Sequence, residues 1–244
     1  MRRLVRVIAA VAALLGAAFW LHEIGWLRPN RPVAARFPVH GIDVSHHQGE
    51  IDWDAVKRDR VAFTYVKATE GADWRDPRFE ENWRGAGRAG IPRGAYHFFT
   101  FCTPGAPQAE NFLKALRARG GELPPVADVE FTGNCTRWDS IARIRGELAV
   151  FLDRIEAGAG RRPILYLTRT SHARIVAGHF PDHELWVRHV FLVPSERRYG
   201  RWLFWQFAHD GRISGISRPV DLNVFRGSPA EFERIARSDA RPGA

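Results

Sequence analysis

Along most of the chain, short apolar runs alternate with stretches in which apolar residues recur every three or four positions. The runs at 41–44, 62–68, 94–99, 126–131, 164–168, 185–189, 203–207 and 220–224 are short and apolar or β-branched, as buried strands are. Helical patterns lie between the first five. One at 54–58 is brief, and one at 77–89 carries Phe79 and Trp83 at i, i+4. In the next, Ala109, Phe112, Leu113 and Leu116 form one face. A longer pattern at 140–156 turns Ile141, Ile144, Leu148, Phe151, Leu152 and Ile155 inward. Alternation of this kind predicts parallel strands joined by right-handed crossovers. Later connections read less helically; His209-Asp210-Gly211-Arg212, for example, is a turn signal. The expected fold is therefore α/β, an irregular barrel with fewer helices than strands.

The first residues follow a different pattern. Arg2, Arg3 and Arg6 precede an apolar run at 7–21, then His22 and Glu23, then apolar residues at 24–27. Basic residues before an apolar segment form an export signal. Small residues at Gly16-Ala17-Ala18 offer a cleavage point, but Phe19 and Trp20 follow at once. The preferred reading for 1–27 is an uncleaved signal anchor with Trp20 and Trp26 at the interface and the positive end in the cytoplasm; a cleaved signal peptide is the alternative. Both readings place the body outside the cytoplasm, anchored to the inner membrane or secreted. Residues 28–38 read as a Pro/Arg linker, and 39–238 as one domain.

Charge and cysteine content add to this picture. The net charge is +9, almost all of the cations are arginine, and Lys57, Lys67 and Lys114 are the only lysines. The arginines are scattered and accompany no nucleic-acid motif, so a nucleic-acid partner is not expected, whereas an anionic envelope is compatible. The chain has two cysteines, Cys102 and Cys135. Each follows a predicted strand, and if those strands are parallel neighbours their loops leave the same edge, close enough for a disulfide; two unrelated thiols are the alternative.

Functional groups of such a barrel gather at strand C-terminal ends. Asp43 ends the first strand, Asp128 and Glu130 end the fourth, and Asp221 with Asn223 lies in the last. Tyr96 and His97, Tyr166, Trp186 and Gln206 come from the strands between. Asp128 and Glu130 are spaced i, i+2 and share one side of their strand. Two acids on one face repel, which holds one of them protonated, and a proton donor beside a carboxylate is what glycoside cleavage uses. A metal pair or a salt bridge to arginine is the plainer reading of the same two acids. His46-His47 is not expected to bind metal, because neighbours on a strand point to opposite faces. No phosphate loop is present, and Ser45 lacks a base for acyl transfer. No cofactor is expected.

Taken together, Gly41-Ile42-Asp43-Val44-Ser45-His46-His47-Gln48-Gly49 and Ile51-Asp52-Trp53 resemble the opening motif of the family 25 glycoside hydrolases, the muramidase lysozymes. The resemblance continues in family order through 63–71, 94–98, Asp128-Val129-Glu130, Trp205-Gln206-Phe207 and 220–225. It implies a flattened, incomplete (β/α) barrel and hydrolysis of the β-1,4 bond from N-acetylmuramic acid to N-acetylglucosamine in peptidoglycan. By this resemblance Glu130 matches the general acid. Asp128 matches a nucleophile or a stabiliser of an intermediate built from the substrate's acetamido group. Asp43 and Asp221 match further acids of the pocket, and Tyr96 lies by the reacting sugar. Tyr166, Trp186, Gln206 and Asn223 complete the expected substrate-binding set. The chain departs from the family at Leu185-Trp186-Val187-Arg188-His189, where a small residue followed by a polar one is common, and in its two cysteines. A non-catalytic glycan-binding or envelope scaffold protein using the same groove is the alternative function. The sequence leaves the oligomeric state open, with a monomer favoured.

Overall fold

The computed structural model describes residues 2–23, 32, 35–116 and 122–237. The chain divides into two compact units, residues 1–31 and 32–244. In the first, helix α1 (Arg2–Glu23) leaves Leu4, Ile8, Leu14, Leu15 and Phe19 exposed. Among the described residues no helix is long and apolar enough to cross a membrane, so the expected anchor draws no support from the structure. Trp26 and most of the expected linker at 28–38 lie outside the described residues. Phe37, also assigned to that linker, is buried in the second unit, its ring 5.7 Å from that of Trp205.

The second unit is a barrel. Its strands are β1 (His40–Val44), β2 (Phe63–Glu70), β3 (Trp74–Arg75), β4 (Arg93–Phe98), β5 (Val126–Val129), β6 (Ile164–Leu167), β7 (Leu185–Arg188), β8 (Phe204–Gly211) and β9 (Val220–Phe225). Pairing runs β1-β9-β8-β7-β6-β5-β4-β2 and returns from β2 to β1, which closes the ring; β3 is a two-residue flap on β2. Apart from the antiparallel β3 flap, the pairings from β1 through β8 are parallel, as the alternation predicts. The last strand differs, because β9 pairs antiparallel with both β8 and β1. Only residues 212–219 separate β8 from β9. That is short of the dozen or so residues that a parallel crossover needs, so the chain must turn back on itself.

Helices α2 (Trp53–Arg58), α3 (Phe79–Arg88), α4 (Gly105–Leu116) and α5 (Ile141–Ala159) fill the early crossovers. Later ones shrink to α6 (Arg169–Ser171), which runs into a π-turn, and α7 (Glu196–Tyr199); α8 (Pro229–Arg237) follows the last strand. Local chemistry sets their ends. The Asp52 carboxylate accepts from the Asp54 and Ala55 amides and caps α2, an interaction worth about 1 kcal/mol. Ser140 caps α5 in the same way by accepting from the Arg143 amide. Ile144, Leu148, Phe151, Leu152 and Ile155 of α5 are buried as expected, while Ile141 is only half-buried at the first turn.

Strand alternation divides the apolar residues into two layers. Ile42, Val66, Ala95, Val129, Leu165 and Val187 face the helices. Phe63, Tyr65, Val126, Tyr166, Trp186, Phe204 and Phe225 fill the barrel interior, where Tyr65 and Trp186 lie 4.8 Å apart between ring centroids. Bulky rings fit there because their neighbours have no side chains. A Cβ on Gly41 would collide with the Phe63 ring, and one on Gly94 with the Tyr65 ring. Gly94→Ala is therefore expected to lower stability by about 1–3 kcal/mol, read as a fall in the urea midpoint at unchanged slope. An unshifted midpoint would show that Tyr65 can retreat.

Candidate active site

The upper end of this interior is polar. Asp43, Tyr96, Asp128, Glu130, Tyr166, Trp186, Gln206 and Asp221 line one cavity of about 310 Å³, together with Val126, Thr132, Arg188 and His209. A second, contiguous lobe reaches His47, Gln48, Lys67 and Glu70, and shares the same four acids. The four acids named from the sequence thus meet in one groove, although they are far apart in the chain. Asp128 sits in β5, while Glu130 lies just past the end of that strand, which stops at Val129 rather than at the expected residue 131. Asp221 arrives by the opposite route. Because β9 runs antiparallel, its first residues reach the rim, and Asp221 stands directly opposite Asp43.

Asp43 is the most firmly held of the four. Its Oδ2 accepts from Asn223 Nδ2 at 2.7 Å and from Gln206 Nε2 at 3.1 Å. Gln206 Oε1 in turn accepts from the Tyr166 hydroxyl at 2.8 Å, and Asn223 Oδ1 accepts from the Trp186 indole at 2.9 Å. The amides thereby fix two aromatic walls and one carboxylate from the interior. Asn223 is fully buried, so it acts from beneath the groove instead of lining it. Asp128 is held differently, since its Oδ1 is buried with no hydrogen-bond partner among the described residues.

Burial raises the pKa values of Asp43, Asp128, Glu130 and Asp221, and mutual repulsion adds to this at Asp128, where the Glu130 charge is the main neighbour. Asp221 is pushed up to about 9 by burial and by Asp43. The phenols of Tyr96 and Tyr166 are driven well above their ordinary range by burial and the surrounding carboxylates, so both remain hydrogen-bond donors. Two cations border the cluster. Lys67 is bound to Glu70 at 2.7 Å and lies over the rings of Trp74 and Phe98. Arg188, at the end of β7 beside Gln206, lowers the pKa values of Asp43, Glu130 and Asp221.

The rim loops after β4 and β5 are tied together, as the cysteine spacing predicts. Cys102 and Cys135 form a disulfide with Cα atoms 6.2 Å apart, and its constraint on the unfolded chain is worth about 2–4 kcal/mol. Between them in space, Asn134 accepts from the Phe101 amide and donates to the carbonyls of Phe99 and Glu130. The backbone that carries Glu130 is thus pinned to its neighbouring loop.

Three expectations change in the structure. His46 and His47 do not alternate along a strand. They form a 3-10 turn after β1 with ring centroids 4.0 Å apart, because Ser45 caps that turn. His46 is occupied by Asp76, its Nδ1 lying 2.9 Å from Asp76 Oδ2, and no group of three potential metal ligands occurs among the described residues. His97 faces the helices and stacks on Phe151, with its ring nitrogens on Thr69 and Gln108; burial pushes its pKa down to about 3, so it is a neutral core residue. Arg188, Thr132, His209 and Lys67 were missed as site residues. Only Arg188 and Lys67 carry a signal that could have found them, an unusual cation near the end of a predicted strand.

Comparison with known proteins places these features in context. The family model "Glycosyl hydrolases family 25" matches residues 42–216. The Escherichia coli (strain K12) protein YegX is 35% identical over 223 residues, covering 88% of this chain and 80% of that protein. Lysozyme M1 of Streptomyces globisporus is 36% identical over 219 residues, covering 83% and 72% respectively. A solved family 25 glycosyl hydrolase from Bacillus anthracis superposes with a TM-score of 0.78 at 33% identity, over 85% of this chain and 97% of that one.

Two measurements test the site's electrostatics and its tether. A raised carboxyl pKa means that the folded state binds more protons than the unfolded one, so stability falls as pH rises from the unfolded value near 4 towards the folded value. Asp221→Asn removes that dependence, and its stability relative to the parent is expected to grow between pH 4 and pH 8. A difference that stays flat across that range would place the Asp221 pKa in the ordinary range. Reduction of the disulfide is expected to lower the thermal midpoint, and a midpoint that ignores reductant would remove its stabilising role.

Proposed function

We propose, from the premise that this chain belongs to glycosyl hydrolase family 25, that its groove cleaves peptidoglycan at the β-1,4 bond between N-acetylmuramic acid and N-acetylglucosamine. The chain is a glycoside hydrolase, and the observation that carries the residue assignment is the convergence of four carboxylic acids from three strands and one rim loop on a single cavity. Glu130 is the general acid. Its longer side chain extends from the rim towards the glycosidic oxygen, and burial moves its pKa upward, the direction a proton donor needs. It protonates the glycosidic oxygen as the bond to the sugar's anomeric carbon breaks.

Asp128 lies deeper and steadies the positive charge that develops on the ring. Its unpartnered buried oxygen supports a more specific role, accepting the N–H of the substrate's acetamido group while that group's oxygen attacks the anomeric carbon. Water then opens the cyclic intermediate, with Glu130 taking back a proton, and the configuration is retained. In this scheme the usual rule linking carboxylate separation to stereochemistry does not apply, because the nucleophile belongs to the sugar. Asp43, held by Gln206 and Asn223, supplies negative potential beside Asp128 and Glu130, and Asp221 opposite it, its pKa pushed up to about 9, keeps a proton that Asp43 and Asp221 can share. Tyr96, Tyr166 and Trp186 form walls against which sugar rings pack.

Export follows from the same reading, since the substrate lies outside the cytoplasm and the N-terminus is basic and then apolar. Retention of that segment as an anchor rests on the sequence pattern alone. N-terminal sequencing of protein from membrane and soluble fractions separates retention from cleavage.

Glu130→Gln is expected to cut the release of reducing ends from purified peptidoglycan by about 10²–10⁴-fold with a thermal midpoint no lower than the parent's. Near-parental activity would assign the acid elsewhere. A parent protein that binds peptidoglycan but releases no reducing ends would instead favour the scaffold reading.

A further inference from the structure

The groove poses an electrostatic problem for any charged substrate. Four acids line it, and an anionic group brought near them meets repulsion in a partly desolvated space. Of the two cations that border the cluster, Lys67 is neutralised by Glu70 and covered by two aromatic rings. Arg188 is not. It lines the cavity, is half-buried, and forms no hydrogen bond or ion pair among the described residues, which leaves a guanidinium donor fork available to a ligand. It also occupies one end only, in the lobe with Tyr166 and Trp186, while the other lobe carries the paired Lys67.

We propose that Arg188 is a specificity-determining residue that pairs with a carboxylate on the substituent of the sugar bound in the Tyr166–Trp186 lobe. This rests on the hydrolase reading and extends it. An acid-lined groove admits an anionic glycan because one cation with an open donor fork offsets the repulsion at one place, and that place sets which sugar of an alternating chain enters the lobe. A planar guanidinium suits a carboxylate because it can donate two parallel hydrogen bonds. In peptidoglycan the carboxylate has two sources, the lactyl group of the sugar itself or the peptide attached to it. A neutral glycan has neither and would gain nothing from Arg188.

The test uses the full chain carrying Glu130→Gln, so that ligands bind without turnover. Three tetrasaccharides of alternating N-acetylglucosamine and N-acetylmuramic acid serve as probes: one with free lactyl carboxylates, one with those groups as methyl esters, and one bearing stem peptides with free carboxylates. Calorimetry is expected to show at least tenfold tighter binding of one or both anionic probes than of the ester. Adding Arg188→Met is expected to abolish that preference while leaving ester affinity within about twofold, and Arg188→Lys to restore part of it. The ester serves as the folding control, since a collapsed variant would lose it too. The probe that loses affinity identifies the source of the carboxylate. No preference in the Glu130→Gln protein, or a preference that survives Arg188→Met while ester affinity is kept, overturns the proposal; should Arg188→Met lose the ester, Arg188→Lys and Arg188→Gln carry the same comparison. Failure of the hydrolase reading appears separately, as absence of reducing ends when the unsubstituted chain meets peptidoglycan.

Discussion

The site depends on keeping mutually repelling acids together at the edge of water. Four carboxylic acids do not assemble spontaneously. Desolvation and repulsion both oppose it, and the raised pKa values of Asp128 and Asp221 express that cost in terms of protons. What offsets it is the packing below. Phe63, Tyr65, Phe204, Trp186 and Phe225 fill the interior, and Gly41 and Gly94 give way to those rings, so the strands that bear the acids cannot move apart without opening the core. Gln206 and Asn223 then convert the rigidity of the floor into a fixed position for Asp43.

Much of this was legible in the residues. Short apolar runs gave the barrel strands in order, and the rule for strand C-terminal ends selected Asp43, Asp128 and Glu130, whereas Asp221, near the start of its strand, reaches the rim only because β9 runs the other way. The exceptions have physical causes. β9 was read as one more parallel strand, since an isolated apolar run carries no sign of its direction; the short connection before it was the available clue. β3 has only two residues and no period to detect. His46 and His47 were placed on a strand although Ser45 and Gln48 carry the S-x-x-Q spacing of a capping box, a local signal that was available. Arg188 stood out only as a departure from pattern, and its meaning depends on Glu70 having already taken Lys67.

The same comparison separates roles that look alike in sequence. His97 and Tyr96 are adjacent, yet one belongs to the helix-facing core and the other to the groove. Asp76 and Asp43 are both buried acids; one holds the His46 turn while the other joins the cluster. Burial alone would not distinguish them. The side of the strand does.

The reversed direction of β9 has a further consequence for how such a molecule can vary. Residues 212–219 leave β8 and enter β9 on the same side of the barrel as the acids, and Ile216 bridges to Ile51 just ahead of α2. Crossover segments between parallel strands must return to the far side, so added length there is shared between both ends of the barrel. This hairpin stays at the mouth throughout. It is the stretch where insertions or deletions would reshape the entrance to the groove while every strand keeps its register.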